Sequence, residues 1–252
     1  MHLSQMASLD TITVFGGTGY LGRHVVGMLA ETGHRVRVAV RHPQTGLFHT
    51  NQVEQVQADI RESASVANAI HGTSGVVNAV GLYVERGHDT FRAVHIEGAG
   101  RIAEQASKSG VRLVHISGIG ATVSSASRYV RARAAGERRV QEYAPEVVIL
   151  RPSALFGEDD KFLGTLAKLI RASPIVPLFG DGGTRLQPAY VNDVARAITH
   201  VLNRDDIAAG IYELGGPNVY TNRELIEILM DHLGRRRVVL PIPFTLWEMQ
   251  TG

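Results

Sequence analysis

The stretch "FGGTGYLG", residues 15 to 22, constrains this chain more than any other part of it. It closes "TITVF", a short β-branched run with strand character, and opens "YLGRHVVGMLAETG", whose apolar residues recur at helical spacing as far as Gly33. Gly16, Gly19 and Gly22 therefore fall on a strand-to-helix turn at G-x-x-G-x-x-G spacing. Glycines at such a turn let the backbone bend tightly and approach a pyrophosphate, whose charge meets free N–H groups and the positive end of the helix. A dinucleotide is expected against Gly16, Gly17, Thr18, Gly19, Tyr20, Leu21, Gly22 and Arg23.

The strand-then-helix pattern repeats. "RVRVAV" (35 to 40), "VEQVQAD" (53 to 59), "GVVNAV" (75 to 80), "VRLVHIS" (111 to 117) and "EVVILRP" (146 to 152) read as further short strands, with helical segments at 63 to 71, 92 to 109 and 127 to 143. Parallel strands need crossovers, and the crossovers here are helices, so the expected fold is α/β: a parallel sheet covered on both faces. After "LRPSALFG" the pattern loosens. Helices are predicted over 160 to 172 and 191 to 202, the latter with Asn192 or Asp193 near its N-cap, and "GIYELGG" and "TNRELIEILMDHLG" add a strand and a helix. Residues 1 to 152 are expected to form the nucleotide-binding domain, and 153 to 252 a smaller substrate or partner lobe interleaved with the last sheet strands.

A chain of 252 residues with 44% apolar content can bury such a core. The absence of cysteine removes disulfides, zinc ribbons and thiol nucleophiles together, and the 11 histidines show no metal-ligand spacing, so no metal is expected. A net charge of +2 does not build a nucleic-acid-binding field, and no nucleic acid partner is expected. No apolar run approaches the ~20 residues that cross a bilayer, nor does "MHLSQMASLD" carry the apolar core of a secretory signal.

The end of the second strand selects between dinucleotides. An acid there accepts from ribose hydroxyls, whereas a 2′-phosphate needs a cation. In "VAVRHPQ" that place belongs to Arg41, and Arg23 could reach the same phosphate, so NADP(H) is favoured over NAD(H). A bland reading makes Arg41 a surface residue, because only three of the 26 basic residues are lysine. Asp59, ending the third strand, is available either to the adenine amino group or as an N-cap for the next helix. "NAVG" brings Asn78, Ala79, Val80 and Gly81 to the end of the fourth strand, where Gly81 suits close backbone approach. Ile60, Ser117, Tyr129, Arg133, Pro152 and Phe156 complete the expected nucleotide-binding set.

Tyr129 and Arg133 lie four apart in a helical stretch, so both project from one face. With the glycine loop, "NAVG", Ser117, Tyr129 and "LRPSALFG" in order, the chain resembles a short-chain dehydrogenase/reductase of the extended or atypical kind over almost its whole length. Within that superfamily, "SSASRYVRARAAGERRVQ", "EDDKFLGTLAKLI", "RLQPAYVNDVARAI" and "LPIPF" are similar to the NADPH-binding accessory subunit of respiratory complex I and its bacterial relatives. The resemblance implies a Rossmann-type doubly wound sheet of about seven strands with a small C-terminal α/β lobe. It also implies bound NADP(H), with a structural duty for the nucleotide in the mitochondrial setting. Members of that group continue further at the carboxyl end, so a terminal helical part is expected to be missing here.

In active members of the superfamily a tyrosine moves the proton, a serine polarises the substrate oxygen, and a lysine lowers the tyrosine pKa and holds the nicotinamide ribose. Ser117, Tyr129 and Arg133 map onto these roles, and only Arg133 departs from the pattern. Arginine keeps the charge but is bulkier, fixes its donors in a plane and relays no proton. Binding is therefore expected to survive better than turnover; the plainer alternative leaves Tyr129 and Arg133 merely covering the helix.

Two functions follow. One is a nucleotide-holding accessory or assembly factor whose partner is a respiratory complex or a membrane-associated protein of the quinone machinery. It would work in a bacterial cytoplasm or a mitochondrial-matrix-type compartment, peripheral to the inner membrane. The other is an active NAD(P)-dependent reductase, epimerase or dehydratase acting on a quinone-like or other small molecule through Ser117, Tyr129 and Arg133. "GDGGTRLQP" (180 to 188) reads as a lobe loop, with Arg185 and Gln187 meeting a substrate or pairing with Asp193. "VLPIPFTLWEM" (239 to 249), with the only tryptophan, is expected to pack on the sheet or contact a membrane or subunit.

Overall fold

The computed structural model describes residues 10–242, so "MHLSQMASL" and the end of the apolar segment, Trp247 included, lie outside the described residues. The chain divides into two compact units: residues up to Pro152 together with Asn192–Leu214, and Ser153–Val191 together with residues from Gly215 on. Residues 192–214, which the sequence boundary assigned to the C-terminal lobe, thus belong with the sheet.

The first unit is a seven-stranded parallel sheet built from β1 (Thr11–Phe15), β2 (Arg35–Val40), β3 (Val53–Gln57), β4 (Gly75–Asn78), β5 (Arg112–Ile116), β6 (Val148–Pro152) and β7 (Gly210–Leu214). Its order is β7-β6-β5-β4-β1-β2-β3. The central strands are apolar runs because helices cover both of their faces: Val14, Val36, Val38, Val76, Val77 and Val114 are fully buried. Each such side chain contributes roughly 1.5–3 kcal/mol relative to exposure. The crossovers include α1 (Tyr20–Glu31), α2 (Ser63–Ile70), α3 (Ala99–Lys108) and α4 (Arg128–Tyr143). The buried stripe of α1, Leu21, Val25, Val26 and Leu29, follows the helical period that marks it in the sequence. Ser127 caps α4, its side chain accepting from the Val130 N–H.

One helix differs from expectation. The segment predicted as a single helix over 92 to 109 opens as a π-helical turn, Arg92–Gly98, before continuing as α3. Such turns shift the backbone hydrogen bonding by one residue without erasing the apolar spacing. The strand order reverses between β1 and β4, so the crevice at their carboxyl ends is the switch point where open α/β sheets bind ligands.

In the second unit, helices Phe162–Ala172 and Asn222–His232 cover a parallel strand pair, Ile175–Phe179 with Val238–Ile242, around Ile170, Val176, Leu178 and Ile226. Thr221 and Glu224 form a capping box at the second helix. Beyond that helix stand three arginines in succession: Arg235 and Arg236 are exposed, while Arg237 Nε donates to Ile170 O at 2.8 Å.

Candidate functional site

The chain leaves β1 at Phe15 and turns at Gly16, whose φ of +79° favours glycine. The Gly19 N–H donates to Gly16 O at 3.0 Å, and Gly19 itself caps α1 with no side chain to offer the first-turn N–H groups. The loop after β4 presses against this turn: Ala79 N–H donates to Phe15 O at 2.9 Å, and a Cβ on Gly16 would stand 2.5 Å from Ala79 O. Beside the two loops lies a cavity of about 390 Å³. The expected residues Gly16, Thr18, Gly19, Arg41, Asp59, Ile60, Ala79, Val80 and Gly81 all line it. Among the described residues, nothing lies within 4 Å of a Cβ placed on Gly81. An uncapped helix start, glycine-lined walls and an adjoining guanidinium fit the diphosphate and ribose of a dinucleotide.

Four charged side chains line the outer part of this cavity. Arg41 Nη1 lies 2.7 Å from Asp89 Oδ2, and Arg61 pairs with Asp59 through Nη2 at 2.5 Å and with Asp89 Oδ1 at 3.5 Å. The Arg61 hydrogen bonds hold the Asp59 carboxyl below the usual carboxylate range against the opposing effect of burial. Asp59 is not the N-cap of α2; Glu62 stands there, because the Asp59 oxygens are turned to the Arg61 backbone and side chain. Arg23 is exposed and does not line the cavity. Arg61 and Asp89 were missed in the sequence. Arg61 follows Asp59 closely enough to have been found, whereas Asp89 meets Arg41 across 48 residues of chain.

A second group gathers past the end of β5. Tyr129 OH accepts from Arg133 Nη1 at 2.6 Å, and Arg133 Nη2 donates to Ile116 O at 3.3 Å. Burial pushes the Tyr129 phenol above its ordinary range; the Arg133 charge opposes this and Tyr83 adds to it. Ser117 is buried, and among the described residues neither its Oγ nor Arg133 Nε has a hydrogen-bond partner. The π-helical turn brings His95 edge-on to Tyr129, ring centroids 5.5 Å apart, and His95 Nε2 bonds Leu82 O at 2.9 Å. Leu82 lines the cavity, which connects the two groups. Phe91 and Tyr83 flank Tyr129 at 5.7 and 5.5 Å. His95 and His115 carried no sequence signal beyond lone histidines among apolar residues.

The remaining expected residues fall elsewhere. Gly17, Tyr20, Leu21 and Gly22 do not line the cavity; Leu21 and Gly22 are buried in the α1 packing, and the Tyr20 ring meets His24 edge-on at 5.4 Å. Asn78 is buried, its Nδ2 3.1 Å from His115 Nδ1 and its Oδ1 accepting from Val80 N–H, so it shapes the loop from behind. Pro152 ends β6, and Phe156, in the second unit, packs on Tyr190 at 5.6 Å. Gln187 Nε2 donates to Gly216 O, and Asp193 pairs with Arg196.

The chain is similar to known proteins over most of its length. NADH dehydrogenase (ubiquinone) 1 alpha subcomplex subunit 9, mitochondrial, of Arabidopsis thaliana is 37% identical over 242 residues, covering 92% of this chain and 60% of the relative. A ceramide reductase of Caulobacter vibrioides is 32% identical over 185 residues, covering 73% of this chain and 58% of the relative. The chain thus spans about three fifths of the length of these relatives. The Bordetella bronchiseptica enzyme WbmG in complex with NAD superposes with a TM-score of 0.79 over 96% of this chain and 84% of that one, at 18% identity, which establishes the shared fold. A model of the NAD dependent epimerase/dehydratase family matches residues 12–215, from the first strand of the sheet past its last, and the chain belongs to that family.

Proposed function

We propose that this chain is an NADP(H)-holding accessory protein of the atypical short-chain dehydrogenase/reductase kind, associated with respiratory complex I, that retains its nucleotide with little or no turnover. The observation carrying this reading is the Tyr129–Arg133 pair: where active members place a lysine, a guanidinium that relays no proton donates to the tyrosine hydroxyl at 2.6 Å, and burial of the phenol opposes its ionisation. A general base useful at neutral pH needs the opposite shift.

A bound nicotinamide dinucleotide supplies hydride chemistry in active members of the family. In this chain the Gly16–Gly19 turn would hold the diphosphate, Arg41 the 2′-phosphate, and Arg133, whose buried Nε has no hydrogen-bond partner among the described residues, the nicotinamide ribose. Arg41 supports NADP(H) over NAD(H), since an acid at that place would serve unmodified ribose. Nucleotide bound only by the native state stabilises it as RT ln(1 + [L]/Kd), about 2.7 kcal/mol at a hundredfold excess over Kd, so it can serve as a folding element without chemistry. The Arabidopsis relative's name, that of a mitochondrial NADH dehydrogenase subunit, supports a respiratory-complex partner and a mitochondrial-matrix-type setting. Among the described residues no helix is long and apolar enough to cross a membrane.

A second reading, an active reductase, epimerase or dehydratase, is favoured by the buried Ser117 Oγ, which has no hydrogen-bond partner among the described residues, and a relative named ceramide reductase fits it. Single turnover separates the two. Protein loaded with NADPH is mixed with quinones, aldehydes, ceramide precursors or nucleotide sugars, and nicotinamide absorbance is followed in the wild type and in Tyr129→Phe. The accessory reading expects no tyrosine-dependent loss; rapid oxidation abolished by Tyr129→Phe would overturn it.

A further inference from the structure

Asp59, Arg61, Asp89 and Arg41 form one continuous ion-pair row along the cavity. Asp89 touches both guanidinium groups, one through each carboxylate oxygen: Oδ2 to Arg41 and Oδ1 to Arg61. It is not a stray surface acid. A tight turn presents it, with reciprocal backbone bonds between Arg86 and Asp89 of 3.0 and 2.9 Å. The strap around that turn is tied down by Glu85, which accepts from Phe91 N–H at 2.8 Å and pairs with Arg128 at 3.0 Å. The side chains of Arg41, Arg61 and Asp89 remain 53%, 38% and 26% exposed, so a ligand can reach all three.

A carboxylate with one oxygen on each of two guanidiniums makes the contacts that two oxygens of a phosphate monoester would make. The phosphate carries more charge, about −1.5 to −2 at neutral pH, and a third oxygen, so it is the stronger ligand for the same two cations. We propose that Asp89 is a specificity-determining residue that occupies the seat of the ribose 2′-phosphate, so that Arg41 and Arg61 accept a phosphorylated dinucleotide by exchanging Asp89 for it. This rests on the NADP(H) reading and adds to it Arg61, as a second phosphate-binding cation, and Asp89, as an internal competitor. An unphosphorylated dinucleotide displaces nothing and leaves the row intact. Asp89 therefore lowers the affinity for NADPH while leaving that for NADH unchanged.

Calorimetric titration of the full chain with NADPH and with NADH, in wild type, Asp89→Asn and Arg61→Gln, tests the proposal. Asp89→Asn is expected to tighten NADPH about tenfold, and Arg61→Gln to weaken it about tenfold, with NADH within about twofold in both. An Asp89→Asn protein whose NADPH-to-NADH ratio is unchanged or lower overturns the proposal, because Asp89 would then be positioning Arg41 instead of competing for it. A ratio insensitive to Arg61→Gln overturns it as well, and this arm stands even if Asp89→Asn fails to fold. A wild type with no preference for NADPH sinks the NADP(H) reading itself, and this inference with it. A wild-type preference that neither variant alters sinks this inference alone.

Discussion

Arg133 Nη1 donates to the Tyr129 hydroxyl at 2.6 Å across one turn of α4, while Nη2 of the same guanidinium donates to Ile116 O at 3.3 Å. The side chain thereby ties the helix to the end of β5, next to Ser117. Burial acts on the phenol more strongly than the guanidinium does, so Tyr129 stays protonated at neutral pH. Removing the charge that opposes burial should raise the phenol further. In Arg133→Ala the ionisation of Tyr129, read from the ring-carbon shift of the one resonance lost in Tyr129→Phe, is expected at higher pH than in the wild type. An unchanged or lower midpoint would show that the guanidinium does not stabilise tyrosinate. Tyr129→Phe leaves Arg133 Nη1 without its acceptor and is expected to cost about 1–2 kcal/mol in urea unfolding.

Much of this arrangement was legible in the sequence, and the boundary of legibility is physical. The strands of the sheet follow from apolar runs that two helix layers bury, and the cradle from glycines local to one turn. The Tyr129–Arg133 pair follows from helical spacing alone. Arg41 was legible by position, since β2 ends at Val40 and the next side chain faces the crevice. Arg61 escaped although it stands two residues from Asp59, whereas Asp89 escaped because of distance along the chain. Asp89 has no periodic neighbour, and its meaning appears only when the fold brings it to Arg41. The π-helical turn keeps an ordinary apolar spacing, so nothing in its residues announces the shift that carries His95 to Tyr129. The two-residue strand pairs of the second unit are too short to show a period of two.

Gly16 and Gly81 separate what the fold needs from what the nucleotide needs. A Cβ on Gly16 meets Ala79 O at 2.5 Å and carries a φ of +79°, so Gly16→Ala is expected to cost about 2–4 kcal/mol of stability. A Cβ on Gly81 meets nothing within 4 Å among the described residues. Gly81→Ala is therefore expected to unfold within about 0.5 kcal/mol of wild type yet to lose most of the thermal stabilisation by NADPH. Full retention of that stabilisation would move the nucleotide away from the loop after β4.

Arg151 stabilises the sheet unit by neutralising a carboxylate that has almost no solvent. Glu137 on α4 is 4% exposed at its side chain and accepts two bonds from Arg151 on β6, at 2.9 and 2.6 Å. Arg151→Met strands that charge and is expected to cost about 3–5 kcal/mol. Adding Glu137→Gln removes the stranded charge, and the double variant should recover most of the loss in chemical denaturation. Equal losses in the single and double variants would assign the cost to packing of the arginine stem instead.

His115 gives the molecule a pH dependence whose sign can be worked out. Its ring is buried between strands, and Nδ1 lies 3.1 Å from Asn78 Nδ2, an amide nitrogen that can only donate, so Nδ1 accepts and the proton sits on Nε2. Burial first, and the Arg133 charge second, push its pKa down to about 3, and burial likewise lowers that of His95. An unfolded histidine titrates near 6.5, so below that pH the unfolded chain binds a proton that the folded His115 refuses. The stability is fully present above about 6.5 and is lost as pH falls toward the folded value, by about 1.4 kcal/mol per pH unit from this residue. His115→Gln keeps an acceptor for Asn78 but cannot titrate. The variant is expected to be less stable than wild type at pH 7.5 in urea unfolding, because the ring is replaced in the core, and the two curves should converge as pH drops. Carboxylates act on both proteins alike, so the difference between the curves isolates the imidazole. Curves that stay parallel from neutral pH down to about 4.5 would mean that His115 takes up its proton in the folded state, with Asn78 swinging away to admit it.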